Sequence, residues 1–298
     1  MTQALKRIAF LTSRNMVDPG PEARVDAFEH RLELEALAPA CAEAGFALVE
    51  QVWDDPGFDP AAFDGIVIGT AWDYMEKHGA FLAALERFDA AAPLLNPRAT
   101  VIWNSDKTYL RDLENAGLPV VPTEWAARAD AVSIARAFER FDCDRLVVKP
   151  QVGASAWRQA RVTKGDPLPP DSEMPPAACL IQPFLSAAET EGETTLLFFD
   201  RQFSHALVKK PKAGDYRTQS MYGASEAAVT PPDDAIETAQ AALEAVAGDL
   251  LYGRVDLMRR GDGRFAIMEL ELVEPYLYPE QGPDLGANYA RALGRLIK

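Results

Sequence analysis

A hairpin near the C-terminal end constrains the fold most, because it carries acidic residues inside apolar strands. The stretch YGRVDLMRRGDGRFAIMELELVEP spans residues 252–275, with an Asp-Gly turn between the segments RVDLM and FAIMELEL. Asp256 lies within the first strand, while Glu269 and Glu271, two residues apart on the second, point to the same face. Burying a carboxylate there is costly unless the group is paired or binds a cation.

Converging carboxylates on one hairpin form a ligand set of hard oxygens. Mg²⁺ prefers such oxygens and usually completes its coordination with oxygens of substrate phosphates. The alternative is a solvated face of an edge hairpin, on which the acids simply point to water. Because the opposite face of AIMELEL is apolar, the pattern favours a Mg²⁺ site formed by Asp256, Glu269 and Glu271.

A lysine at the end of a buried strand suggests a second chemical feature. In VVKPQVGASAW, residues 147–157, the strand ends at Lys149, and a loop of small residues that includes Gly153 follows. An ammonium group and freely approachable backbone N–H groups suit a phosphate ligand. Taken alone, the pattern is more typical of a lysine that extends from a strand end beside a surface turn.

The first hundred residues alternate between short apolar strands, such as RIAFL and DGIVIGT, and helical patterns. This alternation predicts an open parallel sheet. No G-x-G-x-x-G follows the first strand, which disfavours a dinucleotide site. Ligands of such sheets bind beyond the carboxyl ends of the strands, so the loops TSRN (12–15) and GTAWDY (69–74) are predicted to border a substrate cleft. The alternative is that Trp72 and Tyr74 only pack the second loop onto its domain.

A new structural unit is predicted to begin after residue 100. The segment SDKTYLRDLENAG predicts a helix with Ser105 as its N-cap and Gly117 at its end. The proline-rich segment 167–177 is predicted to be an exposed loop before the strand CLIQPFL.

Charge and composition exclude several classes of function. The chain has 298 residues and a net charge of −15, which argues against a nucleic-acid or anionic-membrane partner. The sequence has no run of about 18 apolar residues, so no membrane-spanning helix is predicted. The 3 cysteines lie far apart without a C-x-x-C pair, so we expect reduced thiols in a cytoplasmic protein rather than a disulfide framework or a thiolate zinc site.

The order of these motifs resembles the ATP-grasp superfamily across residues 101–295. The resemblance lies in NSDKTYL, VVKPQVGAS, LIQPFL, GETTLLFFD, GRVDLM and IMELEL, taken in this order. The hairpin is similar to that of D-alanine:D-alanine ligases, and KKPKAGDYRTQ is similar to the basic loop of ribosomal-protein glutamate ligases. VEPYLY and the WDY of GTAWDY resemble a subgroup related to prokaryotic glutathione synthetases and to the D-cycloserine-forming ligase.

The resemblance implies an ATP-grasp fold that combines α/β and α+β parts. An N-terminal open α/β pre-ATP-grasp domain at residues 1–100 would provide the substrate side. Two α+β subdomains would clamp ATP: a small subdomain at 101–185 and a C-terminal subdomain with the metal site at 186–298.

The resemblance also implies which residues bind the nucleotide. Lys107 and Lys149 would contact the α- and β-phosphates, and Gly153 with Ser155 would lie in the loop that closes over them. The segment 182–185 would be the hinge whose backbone reads the adenine edge. The implied nucleotide-binding residues are Lys107, Lys149, Gly153, Ser155, Gln182, Phe184, Leu185, Glu193 and Lys210.

Further residues would surround the ribose and the reacting groups. Glu193 would accept hydrogen bonds from the ribose hydroxyls, and Arg254 would face the reacting acyl phosphate. Lys209, Lys210 and Arg217 occupy the positions of the family's basic residues around the γ-phosphate and the substrate carboxylate. For these three, the alternative is an ordinary surface charge.

Two departures from the family pattern concern the metal and the substrate. Glu271 stands where many members have asparagine at the end of the metal strand, which adds negative charge. Gly69 stands where the subgroup has arginine, so Arg14, the sole cation in the two N-terminal loops, is expected to hold a substrate carboxylate. The predicted substrate residues are Arg14, Trp72, Asp73 and Glu274.

The implied activity is an ATP-dependent ligation of a carboxylate to an amine through an acyl phosphate, with release of ADP and phosphate. The substrate would be an amino acid or a small peptide-like molecule, joined to a second molecule or closed into a ring. ATP and Mg²⁺ are the implied cofactors, with Mn²⁺ as an alternative ion, and formation of a homodimer stays open. A phosphotransferase and a silent ATP-binding regulatory module are the alternatives, the latter disfavoured by Arg254.

Overall fold

The computed structural model describes residues 4–18 and 20–297, and its strands form three sheets. The first sheet lies in the first hundred residues and has the order β2-β1-β3-β4 with parallel pairing throughout. Its strands are β1 Lys6–Thr12, β2 Phe46–Val52, β3 Gly65–Ile68 and β4 Leu94–Leu95. The predicted open parallel sheet is therefore present.

Helices cover both faces of this sheet because its strands are apolar on both sides. The helices of the N-terminal part are α1 Arg14–Val17, α2 Ala27–Glu43 and α3 His78–Ala91. Along β1, Ile8 and Phe10 pack with α2 and with the last helix of the chain, α9 Leu285–Leu296. The alternate residues Ala9 and Leu11 pack against α3.

The helix predicted from Ser105 to Gly117 begins only at Tyr109, a separate helix precedes Ser105, and the N-cap assignment of Ser105 was wrong. The helices are α4 Arg98–Asn104 and α5 Tyr109–Asn115, and Ser105 follows the end of α4. The Asp106 carboxylate accepts a hydrogen bond from the Thr108 N–H at 2.9 Å, a local turn that competes with helix formation. Gly117 ends α5 as predicted, with the positive φ of 82° that glycine tolerates.

The second sheet has the order β5-β8-β6-β7 and is antiparallel. Its strands are β5 Glu124–Ala126, β6 Arg145–Pro150, β7 Ala160–Thr163 and β8 Cys179–Pro183. The helix α6 Ala131–Phe141 packs on this sheet through Ile134 and Phe138. This helix begins with a capping box between Asp130 and Ser133.

The third sheet has the order β11-β10-β9-β12-β13 and is also antiparallel. Its strands are β9 Glu193–Phe199, β10 Gln202–Lys210, β11 Ser225–Ala228, β12 Tyr252–Arg259 and β13 Phe265–Glu271. The remaining α-helices are α7 Ala187–Thr190 and α8 Asp233–Glu244, and short 3₁₀ helices lie at Pro60–Ala62, Tyr74–Lys77 and Ser220–Tyr222. Leu196, Val255 and Leu270 pack one face of the sheet against α8, which leaves the other face for polar residues.

Buried asparagines join the first sheet to the third. The Asn96 amide donates to the carbonyls of Tyr252 and Leu272 at 3.0 and 2.9 Å, and its oxygen accepts from the Leu251 N–H at 2.8 Å. Asn104 bonds the backbone of β13 in the same way. These bonds set the position of the first sheet and of α4 relative to the third sheet.

A buried glutamate on α2 holds the segment that follows β13. Glu33 is 1% exposed, and its carboxyl group accepts a hydrogen bond from the Leu277 N–H at 3.1 Å. Burial raises the pKa of Glu33 from an ordinary 4.5 to about 8. The folded protein therefore holds this group protonated at neutral pH, whereas the unfolded chain ionises it.

Among the described residues, no helix is sufficiently long and apolar to span a membrane.

Replacing Asn96 by alanine should destabilise the protein without rearranging either sheet. The substitution leaves two carbonyls and one N–H buried without a partner, and each such group costs about 1–3 kcal/mol. We expect the free energy of unfolding to fall by about 3 kcal/mol or more in urea denaturation. Asn115→Ala, at an exposed helix end, is the matched control. Equal losses in the two variants would contradict the joining role of Asn96.

Replacing Glu33 by glutamine should stabilise the protein at pH 8 and have little effect at pH 4.5. Because the pKa of Glu33 is raised in the folded state, its contribution to the free energy of unfolding is fully present below pH 4.5. This contribution is lost as the pH rises toward 8. Glutamine cannot ionise, so we expect a gain of at least about 2 kcal/mol at pH 8, at about 1.4 kcal/mol per pKa unit. Chemical denaturation across this range measures it, with exposed Glu35→Gln as control. A gain that is independent of pH would contradict the account.

Candidate active site

The predicted hairpin forms, and its register brings the three predicted metal residues together with Arg254. β12 and β13 pair so that Asp256 lies opposite Glu269 and Arg254 lies opposite Glu271. Directly opposed residues of paired strands project from the same face of a sheet. These four side chains therefore share the polar face of the third sheet.

The same face continues across the neighbouring strands. On β10, Lys209 lies opposite Glu193 of β9 on one side and opposite Glu226 of β11 on the other. Thr195, two residues after Glu193, lies opposite Asp256 and donates its hydroxyl to that carboxylate at 2.6 Å. Strand pairing thus places Lys209 between two acids, Glu193 and Glu226.

The three hairpin carboxylates form a compact group of oxygen ligands. One oxygen from each of Asp256, Glu269 and Glu271 lies within 4.8 Å of the others. Arg254 Nη2 lies 3.0 Å from Asp256 and also contacts Glu271, while Lys209 Nζ lies 3.4 Å from Asp256. Hard oxygen ligands at this spacing fit a Mg²⁺ or Mn²⁺ ion.

The neighbouring charges give these carboxylates different proton affinities. Burial raises the pKa of Asp256, but Arg254 and Lys209 more than offset it, so the pKa lies below its ordinary value. Burial likewise acts on Glu269, where Lys107 and Lys149 produce a net lowering of the pKa. In Glu271, burial dominates and raises the pKa to about 7.

Two lysines face the hairpin from the other side of the cavity. Lys107 lies in the turn before α5, where its Nζ donates to the Gly153 carbonyl at 2.6 Å and pairs with Glu269 at 2.7 Å. Lys149 lies near the end of β6, and burial lowers its pKa because the nearby acids compensate only partly. A Cβ atom on Gly153 would lie 2.7 Å from Pro150 Cγ, so this loop path favours glycine.

Two neighbouring cavities collect most of the predicted nucleotide residues. Lys107, Gly153 and Ser155 line the main cavity beside the carboxylates. The hinge segment 182–185 contributes Gln182, Phe184 and Leu185 to the second cavity, together with Arg217. Lys149, Glu193 and Glu269 line both cavities, which places them where the two cavities meet.

The predicted basic residues of β10 and of the loop after it lie in three different environments. Lys209 is buried and pairs with both Glu193 and Asp256, so its pKa is raised despite its burial. Lys210, the next residue, is exposed and lines neither cavity. Arg217 bonds Asp215 through Nη2 at 2.7 Å and lies 3.6 Å from the centroid of the Tyr222 ring.

Two of the predicted substrate residues lie away from the cavities. Arg14 pairs with Asp55 at 3.0 Å, and its side chain is 55% exposed. Asp73 is buried and accepts hydrogen bonds from Trp53 Nε1 at 2.7 Å and Lys77 Nζ at 2.9 Å. Neither side chain lines a cavity, in contrast to what the loops TSRN and GTAWDY led us to expect.

The packing around Gly69 leaves no room for an arginine at this position of the second loop. A Cβ atom on Gly69 would lie 2.0 Å from the Phe10 ring, so no larger side chain fits there without displacing the ring.

The other two predicted substrate residues line the main cavity together. Trp72 donates its indole N–H to the Glu274 carbonyl at 3.0 Å. Glu274 is 8% exposed, and within residues 4–18 and 20–297 its carboxylate has neither a hydrogen bond nor an ion pair. Burial, reinforced by the nearby Glu271, raises the pKa of Glu274 well above 4.5.

The sequence interpretation missed a group of residues at the start of α2. Asp26 and Glu29 line the main cavity, and Arg24 bonds Asp26 through two nitrogens. Glu29 accepts a hydrogen bond from the Ser220 hydroxyl, and burial raises its pKa to about 7. Acidic residues at the start of a helix are typical of capping, so the sequence alone does not distinguish them from site residues. Only their neighbours in the folded structure show that these acids line the cavity.

Comparison with known proteins places this geometry among ligases. The family model described as D-cycloserine synthetase DcsG, N-terminal domain, matches residues 8–96. The cycloserine biosynthesis protein DcsG of Streptomyces lavendulae is 30% identical over 284 residues, which are 89% of this chain and 94% of that protein.

Solved structures match over the whole chain. The crystal structure of D-cycloserine synthetase DcsG has a TM-score of 0.83 at 28% identity and covers 98% of this chain and 100% of that one. The ATP-grasp ligase PsnB complexed with minimal precursor, Mg and ADP has a TM-score of 0.66 at 18% identity, covering 100% and 99%. The predicted ATP-grasp fold and the predicted resemblance are thereby confirmed.

Proposed function

Because this chain belongs to the D-cycloserine synthetase family of ATP-grasp ligases, we propose that it activates a substrate carboxylate as an acyl phosphate for attack by an amine. The chain is an enzyme of ATP-dependent C–N bond formation. The proposed substrate is a small amino acid or peptide-like molecule, and ADP and phosphate are the other products. The supporting observation is the polar sheet face that joins Arg254 to Asp256, Glu269 and Glu271.

ATP is proposed to lie across the two cavities. The second cavity has apolar walls that include Val121, Val147 and Met258, which suit an adenine ring beside the hinge at 182–185. Glu193 lies where the cavities meet, the expected place of the ribose. The phosphates then reach the main cavity.

The proposed phosphate site has one cation, Lys149, that is short of counter-charge. Lys107 and Lys149 converge beside the loop of residues 150–160, and the lowered pKa of Lys149 marks a buried cation with too few acids around it. An anionic ligand is the natural complement. We propose the domain division 1–100, 101–185 and 186–298 around this site, with ATP between the last two units.

Asp256, Glu269 and Glu271 are proposed to hold Mg²⁺, and their oxygens would equally accept Mn²⁺. When bound, such an ion offsets negative charge on the phosphoryl group during transfer. Glu271 also contacts Arg254, so the same carboxylate would position both the ion and the guanidinium.

Arg254 is proposed to hold the reacting carboxyl group. Arg254 is 8% exposed, and its guanidinium is oriented by Asp256 and Glu271. Its Nε is buried and has no hydrogen-bond partner among the described residues, so one donor remains for a ligand. Its pKa lies well above the ordinary value, because nearby acids outweigh burial. A permanently charged, oriented donor suits charge that develops on the substrate.

Glu274 is proposed to accept the proton of the attacking amine. It lies on the wall of the main cavity together with Trp72 and Tyr74. A carboxylate with a raised pKa is a stronger base than an ordinary one, once it is deprotonated. The substrate would then lie between Arg254 and the N-terminal domain.

The proposal is tested by a screen of amino acids and small peptides for ADP release, with mass spectrometry of each product. An active substrate should give ADP and a product lighter by one water than its reactants, and a ring-closing reaction needs only one reactant. Glu269→Gln should lower turnover by about 10²-fold or more, because it removes a proposed metal ligand. A phosphorylated product that accumulates without C–N bond formation would contradict the ligase assignment in favour of phosphotransfer.

Replacing Glu274 by glutamine should lower kcat by about 10²-fold, since general base catalysis typically contributes 10²–10⁴-fold. Because the amide keeps the size of the side chain, we expect KM for ATP to change little. Exposed Glu280→Gln is the matched control. A rise in KM for ATP with unchanged kcat would instead assign Glu274 to nucleotide binding.

A further inference from the structure

We propose that Arg24 is a positioning residue that holds the 150–160 loop against the substrate wall, so that loop closure over the nucleotide orders the substrate side at the same time. This inference rests on the proposed function, which places ATP phosphates beneath that loop. It assigns a role to a residue that touches neither the proposed metal ligands nor the hinge.

Arg24 is fixed first to the substrate wall. Its Nε and Nη2 donate to the two oxygens of Asp26 at 2.8 and 2.7 Å, and the two side chains are only 15% and 7% exposed. Its guanidinium carbon lies 5.4 Å from the centroid of the Trp72 ring. Asp26 and Trp72 both line the main cavity, so Arg24 backs the wall that the substrate would contact.

The same guanidinium reaches the loop. Arg24 Nη2 donates to the Ser155 hydroxyl at 3.2 Å, a bond between residues 131 positions apart. Ser155 lines the main cavity beside Gly153, whose carbonyl accepts from Lys107. One side chain therefore contacts the substrate wall and the phosphate loop together.

The loop conformation depends on such outside contacts. Ser155 and Ala156 have positive φ values of 51° and 55°, which cost non-glycine residues about 1 kcal/mol or more each. Tyr216 holds the loop from the opposite side by donating its hydroxyl to the Gln159 carbonyl at 3.1 Å. Without Arg24, the strained turn at 155–156 loses its charged contact, and we expect it to open.

Arginine rather than lysine is required by this geometry. Two nitrogens bind Asp26, and the second hydrogen on Nη2 remains available for Ser155. A lysine can pair with Asp26 but has no planar fork with which to reach both partners. Arg24→Lys therefore separates the two contacts while it keeps the charge and the buried pair.

Hydrogen exchange with Mg²⁺ and a non-hydrolysable ATP analogue tests the proposal. In the wild type, the analogue should slow exchange in both segments 150–160 and 24–30, although only the first would contact phosphates. In Arg24→Lys and Arg24→Gln, we expect the added protection of 24–30 to be lost and that of 150–160 to be reduced. Exposed Arg31→Gln on the same helix is the control and should behave as the wild type.

A double-mutant cycle on analogue affinity provides the second measurement. Arg24→Lys and Ser155→Ala should each raise Kd for the analogue by about three- to tenfold, and the double variant should be no weaker than the worse single variant. Multiplying effects, or unchanged protection of 24–30 in Arg24→Lys, would overturn the proposal. An analogue that protects neither segment in the wild type would also overturn it.

These measurements need no turnover, so they are independent of the substrate screen. If no compound releases ADP while the coupled protection appears, the proposed ligation fails and the role of Arg24 stands. If ADP release is found but the two segments respond separately, the role of Arg24 fails alone.

Discussion

Mutual compensation of buried charges on the third sheet is the interaction on which the rest of the structure depends. Lys209 lies between Glu193 and Asp256, and Arg254 lies between Asp256 and Glu271, and all of these side chains except that of Glu271 are buried. Buried ions of this kind are tolerated only when each has its partner. The strand register determines which of these charged side chains are neighbours, so the chemistry of the site depends directly on the backbone pairing of the sheet.

The opposite side of the cavity complements this cluster. The chain as a whole is strongly acidic, yet Lys107 and Lys149 bring positive charge to the main cavity, where we propose that the phosphates of ATP bind. Lys107 is satisfied by Glu269, whereas Lys149 lacks sufficient counter-charge. A metal-bound phosphate chain would supply negative charge to the lysines and a cation to the carboxylates. The site is thus most complete when metal and nucleotide are present together.

Local patterns were sufficient to predict which side chains of the hairpin share one face. The Asp-Gly turn and the two-residue spacing of Glu269 and Glu271 predicted a shared face, because strand geometry determines it. The orientation of Asp73 could not be predicted, since its bond to Trp53 depends on tertiary packing. Arg24 was missed for the same reason: its partner Ser155 lies 131 residues away.

The most direct test of the central claim is calorimetric titration of a non-hydrolysable ATP analogue with and without Mg²⁺, in the wild type and in Glu269→Gln. If the hairpin carboxylates hold the ion against the nucleotide, Mg²⁺ should tighten wild-type binding by at least about tenfold, equal to 1.4 kcal/mol. The variant should lose most of this gain. Equal Mg²⁺ dependence in both proteins would show that the ion binds elsewhere and would contradict the account.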